Sequence, residues 1–350
     1  MEDVHQSSQQ KGLTGIANLG NTCFLNTCLQ ILNHTYELHE FADSKKCQTV
    51  LNQKIKENNI DAILFQEWNS LRNMMWSNNG IVSPQRFVQC VQHIARLKNK
   101  EIFTGWSQND TCEFMLFIID CMHTSMARSV TIKISGTVKT EADKMAAKSY
   151  ELLSQIYSKE YSEIMDMFYA VYVTRLTSMK KEEVSLIPAH FFIMDLDATC
   201  ASICEGFDLF TRPEKMDGEN EWFNETTKKK EPVMKECIFF TLPKILVICL
   251  KRFSPDGQRK LQNLVDFQID GLDLSKYVKG YYSNRYIYDL FGVANHMGSV
   301  QGGHYTAYVK NGSDTWLHCN DTEISMLEKS KVRETVVSNA AYCLFYRKRE

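Results

Sequence analysis

The apolar pattern of this chain changes its period once, near residue 165, and that change limits what it can fold into. Before it, Leu25, Leu29 and Leu32 recur at helical spacing, as do Phe65, Trp68 and Leu71. Ser83-Pro84 supplies an N-cap and a proline at the first helical position, ahead of Phe87, Val88 and Val91. Further helices are expected from Asp110 through Met122 and, charged and amphipathic, over residues 140 to 160. From Phe168 onward β-rich runs take over: Phe168 to Leu176, Phe191 to Leu196, Ile245 to Phe253, Tyr286 to Ala294, His304 to Val309 and Ala341 to Tyr346. The polar stretch Arg212 to Pro232, with Lys228, Lys229 and Lys230, reads as an exposed loop or hairpin tip. Met1 to Lys11 is polar and reads as a flexible tail.

At 350 residues the chain can hold one large or two ordinary domains and bury a substantial core. A net charge of −2 gives no reason to expect nucleic acid or a membrane surface as partner. The longest apolar runs, Phe114 to Ile119 and Ile245 to Leu250, are too short to span a bilayer. The first eleven residues lack the apolar stretch of a signal peptide, so a reducing compartment is expected and the twelve cysteines are expected to be free thiols. Most of them sit in apolar segments, as Cys249 and Cys343 do, where cysteine behaves as a small hydrophobe.

One cysteine stands apart. Cys23 lies in Gly-Asn-Thr-Cys-Phe-Leu-Asn at an expected helix start, where unpaired N–H groups favour a thiolate and face any oxyanion formed beside it. Asn18, five residues earlier, offers an amide donor to the same place. Far downstream, His304 in Gly302-Gly303-His304-Tyr305 is a candidate general base and acid, and Asn320 a candidate acceptor for its second ring nitrogen. A cysteine before a helix is more often structural, and Gly-Gly-His-Tyr alone can be a tight turn. All three in this order are the arrangement of papain-like thiol chemistry.

These segments resemble the ubiquitin-specific protease family. Gly12 to Gln30 is similar to its cysteine box, with Thr14-Gly15 as two extra residues after Leu13. Its histidine box is matched by Tyr286 to His296, Gly302 to Val309, Trp316 to Asp321 and Ala341 to Tyr346. Gln108-Asn-Asp-Thr-Cys-Glu-Phe114 resembles the family's Gln-X-Asp-Ala-X-Glu-Phe helix, and Leu242 to Phe253 its Leu-Lys-Arg-Phe strand. The likeness runs from Gly12 to the end of the chain.

The resemblance implies an α/β (α+β) papain-like fold with a helical thumb (about 12–165), β-rich fingers (about 166–240) and a β-sheet palm (about 241–350). It implies a deubiquitinating cysteine protease, with Cys23 as nucleophile, His304 as general base and acid, Asn320 as third triad member and Asn18 as oxyanion-hole amide. Asp321 matches a carboxylate that assists the same site. Asp110 and Glu113 match positions that contact the arginine-bearing tail of ubiquitin, and carboxylates suit a guanidinium. Gly302, Gly303 and Tyr305 are expected in the wall of the channel for the Gly-Gly end. No cofactor is needed; the partners are ubiquitin or ubiquitinated proteins, in cytoplasm and/or nucleus, with no nucleic acid and no membrane.

Many family members hold a structural zinc in the fingers with two Cys-X-X-Cys pairs. Here the equivalent places, Thr177 to Lys181 and Asn224 to Thr227, carry no cysteine, so no zinc is expected. Cys200 and Cys204 lie elsewhere and read as core thiols. Two alternatives stand beside the hydrolase: an enzyme for another ubiquitin-like modifier, and a catalytically silent ubiquitin-binding module.

Overall fold

The computed structural model describes residues 12–349, apart from residues 78, 181, 226, 255, 282, 300 and 301. The tail expected over Met1 to Lys11 lies outside the described residues. The first half is helical, as the 3.6-residue spacing predicts: α1 (Cys23–Leu32), α2 (Tyr36–Asp43), α3 (Lys45–Lys56), α4 (Ile60–Ser77), α5 (Gln85–Leu97), α6 (Thr111–Met126), α7 (Glu141–Glu160) and α8 (Glu163–Phe168). A short parallel pair, β1 (Gly15–Ile16) and β2 (Ile81–Val82), ties the entry of α1 to the segment before α5. The start of α5 departs from the Ser-Pro reading by one residue. Pro84, with φ −82° and ψ 22°, stays outside the helix while its carbonyl accepts from Val88 N–H at 2.9 Å.

The strand-rich half builds two sheets. Four strands form an antiparallel layer in the order β4 (Glu183–Phe191), β3 (Ala170–Ser178), β9 (Val233–Phe239), β6 (Glu214–Met216). A separate hairpin, β7 (Trp222–Asn224) with β8 (Lys229–Glu231), occupies the polar stretch read as a loop or hairpin tip. The large sheet runs β15 (Glu323–Met326), β14 (Trp316–Asn320), β13 (Gly302–Lys310), β12 (Ile287–Ser299), β16 (Ala341–Lys348), β10 (Ile245–Lys251), β5 (Ile193–Asp197), with β11 (Leu272–Asp273) paired to β12 off this path. Helix α9 (Ile203–Thr211) packs beside β5, and α10 (Val332–Val336) precedes β16.

Strand β10 shows how the large sheet is sandwiched. Ile245, Val247 and Cys249 face the core shared with the helices, while Leu246, Ile248 and Leu250 face a second core beneath α9. A strand buried on both faces reads as a continuous apolar run, and this one does. A third, smaller cluster joins Met145 and Ala146 of α7 to Val171, Val173 and Ile238 of the four-stranded layer. No helix among the described residues is long and apolar enough to cross a membrane.

Candidate active site

Helix α1 is buried along all ten residues and lies against β13, so its first residue, Cys23, is held at the seam between helices and large sheet. The turn before it is shaped by Asn18. Asn18 Oδ1 accepts from the N–H groups of Gly20 and Thr22 at 3.0 and 3.1 Å and from the Thr22 hydroxyl at 3.2 Å. The chain then passes through left-handed conformations at Gly20 (φ 103°) and Asn21 (φ 56°), which glycine and asparagine adopt at least cost. Asn18 is thereby locked as a side-chain-closed turn beside the helix N-terminus.

The other half of the site comes from the end of the chain. His304 on β13 donates from Nε2 to Asn320 Oδ1, at the end of β14, at 2.7 Å. An amide oxygen only accepts, so this bond keeps the proton on Nε2 and leaves Nδ1 as the basic nitrogen. Asp321 follows in a left-handed conformation (φ 49°) that turns its carboxylate to the nucleophile side. Its Oδ2 accepts from Asn18 Nδ2 at 2.9 Å, its Oδ1 from Asn26 Nδ2 at 2.7 Å, and its backbone carbonyl from Ile16 N–H at 2.8 Å.

The Cys23 side chain is 2% exposed. Burial pushes its thiol pKa up; the N–H of Tyr305 opposes this, the Asp321 carboxylate adds to it, and the N–H groups of Phe24 and Cys23 itself oppose it. The net direction is upward. The helix start therefore does not by itself produce a resting thiolate, because desolvation of the charged form outweighs the aligned donors. Among the described residues, Cys23 and His304 share no hydrogen bond; the imidazole is engaged with Asn320, and the sulfur is met by the Tyr305 N–H.

A cysteine at a buried helix start, an imidazole held by an amide on the neighbouring strand, and the Asn18 amide in the turn before the cysteine are groups that thiol acyl transfer can use. Residues 14–346 match the family described as ubiquitin carboxyl-terminal hydrolase. The chain belongs to that family.

Among similar proteins, ubiquitin carboxyl-terminal hydrolase 2 of Bos taurus is 30% identical over 354 residues, covering 98% of this chain and 56% of the bovine protein. The Drosophila melanogaster ubiquitin carboxyl-terminal hydrolase Usp2 is 30% identical over 348 residues, covering 97% of this chain and 35% of the relative. The chain thus spans about half the bovine relative and a third of the fly one. Among solved structures, the SAGA DUB module bound to monoubiquitin superposes with a TM-score of 0.71 at 22% identity, covering 98% of this chain and 70% of that one. The SAGA DUB module bound to ubiquitin aldehyde gives 0.70 at 22% identity, covering 98% of this chain and 71% of that one. The mixed helix and strand architecture is that of this hydrolase fold.

In this ubiquitin hydrolase relative the residues expected to meet substrate are placed unequally. Asp110 is the N-cap of α6: its Oδ1 accepts from Cys112 and Glu113 N–H at 2.7 and 2.9 Å, and its Oδ2 from the Tyr342 hydroxyl. Glu113, one turn on, is exposed, and its carboxylate has no hydrogen-bond partner among the described residues. Gly302 and Gly303 open β13 and are half-buried. A Cβ on Gly303 would lie 2.3 Å from Met297 O and 2.4 Å from His296 Nε2, so this position admits glycine alone. Tyr305 differs from the expectation of a channel wall in one respect. Its ring is buried and lies against His296, centroids 4.6 Å apart and planes tilted by 37°, so it is the backbone N–H that it presents to the site.

Two flanking loops are fastened from beneath. Buried Arg252 donates to the carbonyls of Ala341, Leu261 and Asn263 at 2.6, 3.1 and 2.9 Å, and Lys260 donates to His296 O at 2.6 Å. Residue reasoning missed Asn26, although it stands three residues after Cys23 on the same helix face. It also gave no role to Gln108, which reaches Gly303 from the opposite side of the seam. A groove of about 1280 Å³ lies away from this chemistry, lined by Glu37, Glu163, Lys244 and Lys348.

The two places expected in the fingers without cysteine are bridged by side-chain hydrogen bonds. Thr227 N–H donates to Asn224 Oδ1 at 3.3 Å, and Asn224 Nδ2 and the Thr227 hydroxyl both donate to Glu231. At the other tip Ser178 Oγ accepts from the N–H groups of Lys180 and Glu182 at 3.3 and 3.2 Å. Cys200 is buried, and Cys204 Sγ lies 3.8 Å from Gln268 Oε1.

Proposed function

We propose that this chain is a deubiquitinating thiol protease acting at the C-terminal glycine of ubiquitin, with Cys23, His304 and Asn320 as its triad. The observation that carries this is the 2.7 Å His304–Asn320 bond set beside the buried start of the Cys23 helix, within a chain of this family. In the reading, Cys23 gives its proton to His304 Nδ1 and its sulfur attacks the glycine carbonyl. The oxyanion takes the remaining Asn18 amide proton and backbone N–H groups at the helix start. Collapse to a thioester expels the lysine amine, which takes the proton from His304. Water, deprotonated by His304, then splits the thioester to the ubiquitin carboxylate and returns the thiol.

Asp110 and Glu113 are assigned to the arginines of the ubiquitin tail, with Glu113 as the freer carboxylate. Gly302, Gly303 and the Tyr305 backbone are assigned to the Gly-Gly channel. We assign the thumb to about 12–165, the fingers to about 166–240 and the palm to about 241–350; β5, inside the fingers stretch, is hydrogen-bonded in the large sheet. Cytoplasm and nucleus are the compartments proposed.

The missing Cys23–His304 bond and the upward shift of the Cys23 thiol are the observations on the side of a silent ubiquitin-binding module. Catalytic hydrogen bonds are often long in free enzymes and close only on substrate, so the hydrolase is favoured. Ubiquitin carrying an electrophilic C-terminus decides. Wild type is expected to form a covalent adduct that Cys23→Ser abolishes, whereas binding without adduct identifies the module. Adducts only with another modifier's Gly-Gly tail would move the substrate assignment there.

A further inference from the structure

One segment, residues 106–111, touches both halves of the catalytic pair. On the nucleophile side, Asn21 Nδ2 donates to Trp106 O at 3.1 Å, the Thr111 hydroxyl to Phe24 O at 3.3 Å, and Cys28 Sγ to Thr111 O at 3.2 Å. On the sheet side, Asp110 takes the Tyr342 hydroxyl, and Gln108 makes a two-point contact with a single residue of β13. Gly303 N–H donates to Gln108 Oε1 at 2.8 Å, and Gln108 Nε2 donates to Gly303 O at 2.6 Å.

A carboxamide carries one acceptor and one donor in a plane, as a peptide group does, so Gln108 pairs with Gly303 in the manner of an adjoining strand. It has room to do so because β14 pairs with β13 only from Ala307 onward. Alternate residues of a strand turn their backbone groups to the same edge. Gly303 and Tyr305 therefore share one edge: Gln108 grips it just before His304, and the Cys23 sulfur meets it just after. The side chains leave the passage clear, since even a Cβ on Gly302 would come within 3.0 Å of Gln108 Oε1.

We propose that Gln108 is a positioning residue for the thiol protease chemistry: through Gly303 it sets how far the His304 strand stands from Cys23. The proposal rests on the hydrolase reading. Gln108 touches neither the sulfur nor the imidazole, and it acts through the strand between them. Among the described residues, Gln108 makes the hydrogen bonds from segment 106–111 to the backbone of β13, while the Thr111 N–H meets the Tyr305 hydroxyl two residues further on. Loss of the Gln108 contact therefore frees the start of the strand while leaving α1 held by Trp106 and Thr111.

The test compares wild type, Gln108→Ala and Gln108→Glu by two measurements. The first is turnover of a ubiquitin–fluorophore fusion. Gln108→Ala is expected to lower kcat ten- to a hundredfold with KM within about twofold, the scale of roughly an ångström of misplacement. The second needs no ubiquitin: the pH profile of iodoacetamide alkylation at Cys23, read against Cys23→Ser. It is expected to move to higher pH in Gln108→Ala, because the Tyr305 N–H no longer holds station at the sulfur. Gln108→Glu keeps the acceptor for Gly303 N–H but sets a carboxylate against its carbonyl, so it falls on the side of alanine in both measurements. It also decides the matter if Gln108→Ala melts early. Unchanged kcat, a change in KM alone, or an unmoved alkylation profile overturns the proposal. Should wild type itself fail to turn over ubiquitin, the alkylation comparison still tests Gln108 by itself.

Discussion

Asp321 holds Asn18 by a 2.9 Å hydrogen bond, joining the turn before the nucleophile to a residue 303 positions later. The same carboxylate holds Asn26, on the nucleophile helix. It therefore fixes Asn18, proposed as the oxyanion donor, and the helix together, while its charge opposes ionisation of Cys23. Asp321→Asn should separate these effects. Cys23 should alkylate faster at a given pH, because the opposing charge is gone, yet kcat should fall about ten- to a hundredfold as Asn18 loses its anchor. Steady-state kinetics beside alkylation rates would check this; a fall in both, or a rise in both, contradicts the dual role.

The two carboxylates assigned to the ubiquitin tail should behave differently. Asp110→Ala removes a helix cap and should cost about 1 kcal/mol of stability, seen as a lower urea midpoint, as well as raising KM. Glu113→Gln should raise KM about tenfold with no change in midpoint, since the side chain is exposed and unpartnered among the described residues. A stability loss in the second variant, or a change in kcat alone, would remove Glu113 from tail recognition.

Stability should fall on mild acidification before most carboxylates titrate. Burial lowers the pKa of His34 and His296 to about 4 and of His39 to about 3. Below the ordinary histidine value of about 6.5, the unfolded chain therefore binds protons that the folded chain refuses. The loss begins near pH 6.5, grows as pH falls, and stops growing for these groups near pH 3. Glu163, held down to about 2 by Arg128 and Lys46 against its burial, adds a loss only below its ordinary value near 4.5. Urea midpoints at pH 7, 5.5 and 4.5 would show the histidine portion, and His34→Gln should flatten it; a midpoint constant between pH 7 and 5 would contradict it.

The hairpin tip held by Asn224, Thr227 and Glu231 should need no metal. A strong chelator is expected to leave Tm unchanged, and Glu231→Ala to speed amide exchange over residues 222–231 without altering exchange in β13. A chelator-induced drop in Tm would place a metal in the protein.

Much of this was legible in the residues. Leu25, Leu29 and Leu32 gave α1 because one helix packed on a sheet repeats its apolar contacts every turn. Ile245 to Leu250 gave β10 because a strand buried on both faces has no polar interruptions. Strand β4 was not legible: Glu183 to Phe191 carries Pro188 and mixed polarity, which only an edge strand tolerates, and edge position is a property of the assembled sheet. Cys23, His304 and Asn320 were found from chain order and local setting. The Asp321 clamp and the Gln108 bridge were not, since they depend on segments 303 and 195 residues apart arriving with a carboxylate or carboxamide turned the right way. The direction of the Cys23 pKa escaped for a related reason: the helix start is local, but the burial that outweighs it is tertiary.

Strand β16 lies between β12 and β10, in the interior of the large sheet, although it follows both of them in the chain. During synthesis the nucleophile helix leaves the ribosome some three hundred residues before the strand that closes the sheet behind it. Until Ala341 to Lys348 arrive, β12 and β10 have no common neighbour, and the large sheet stays in two parts. A nascent chain of this design therefore presents Cys23 early and completes the sheet behind it late, so the proposed site is assembled as one of the final events of folding rather than one of the first.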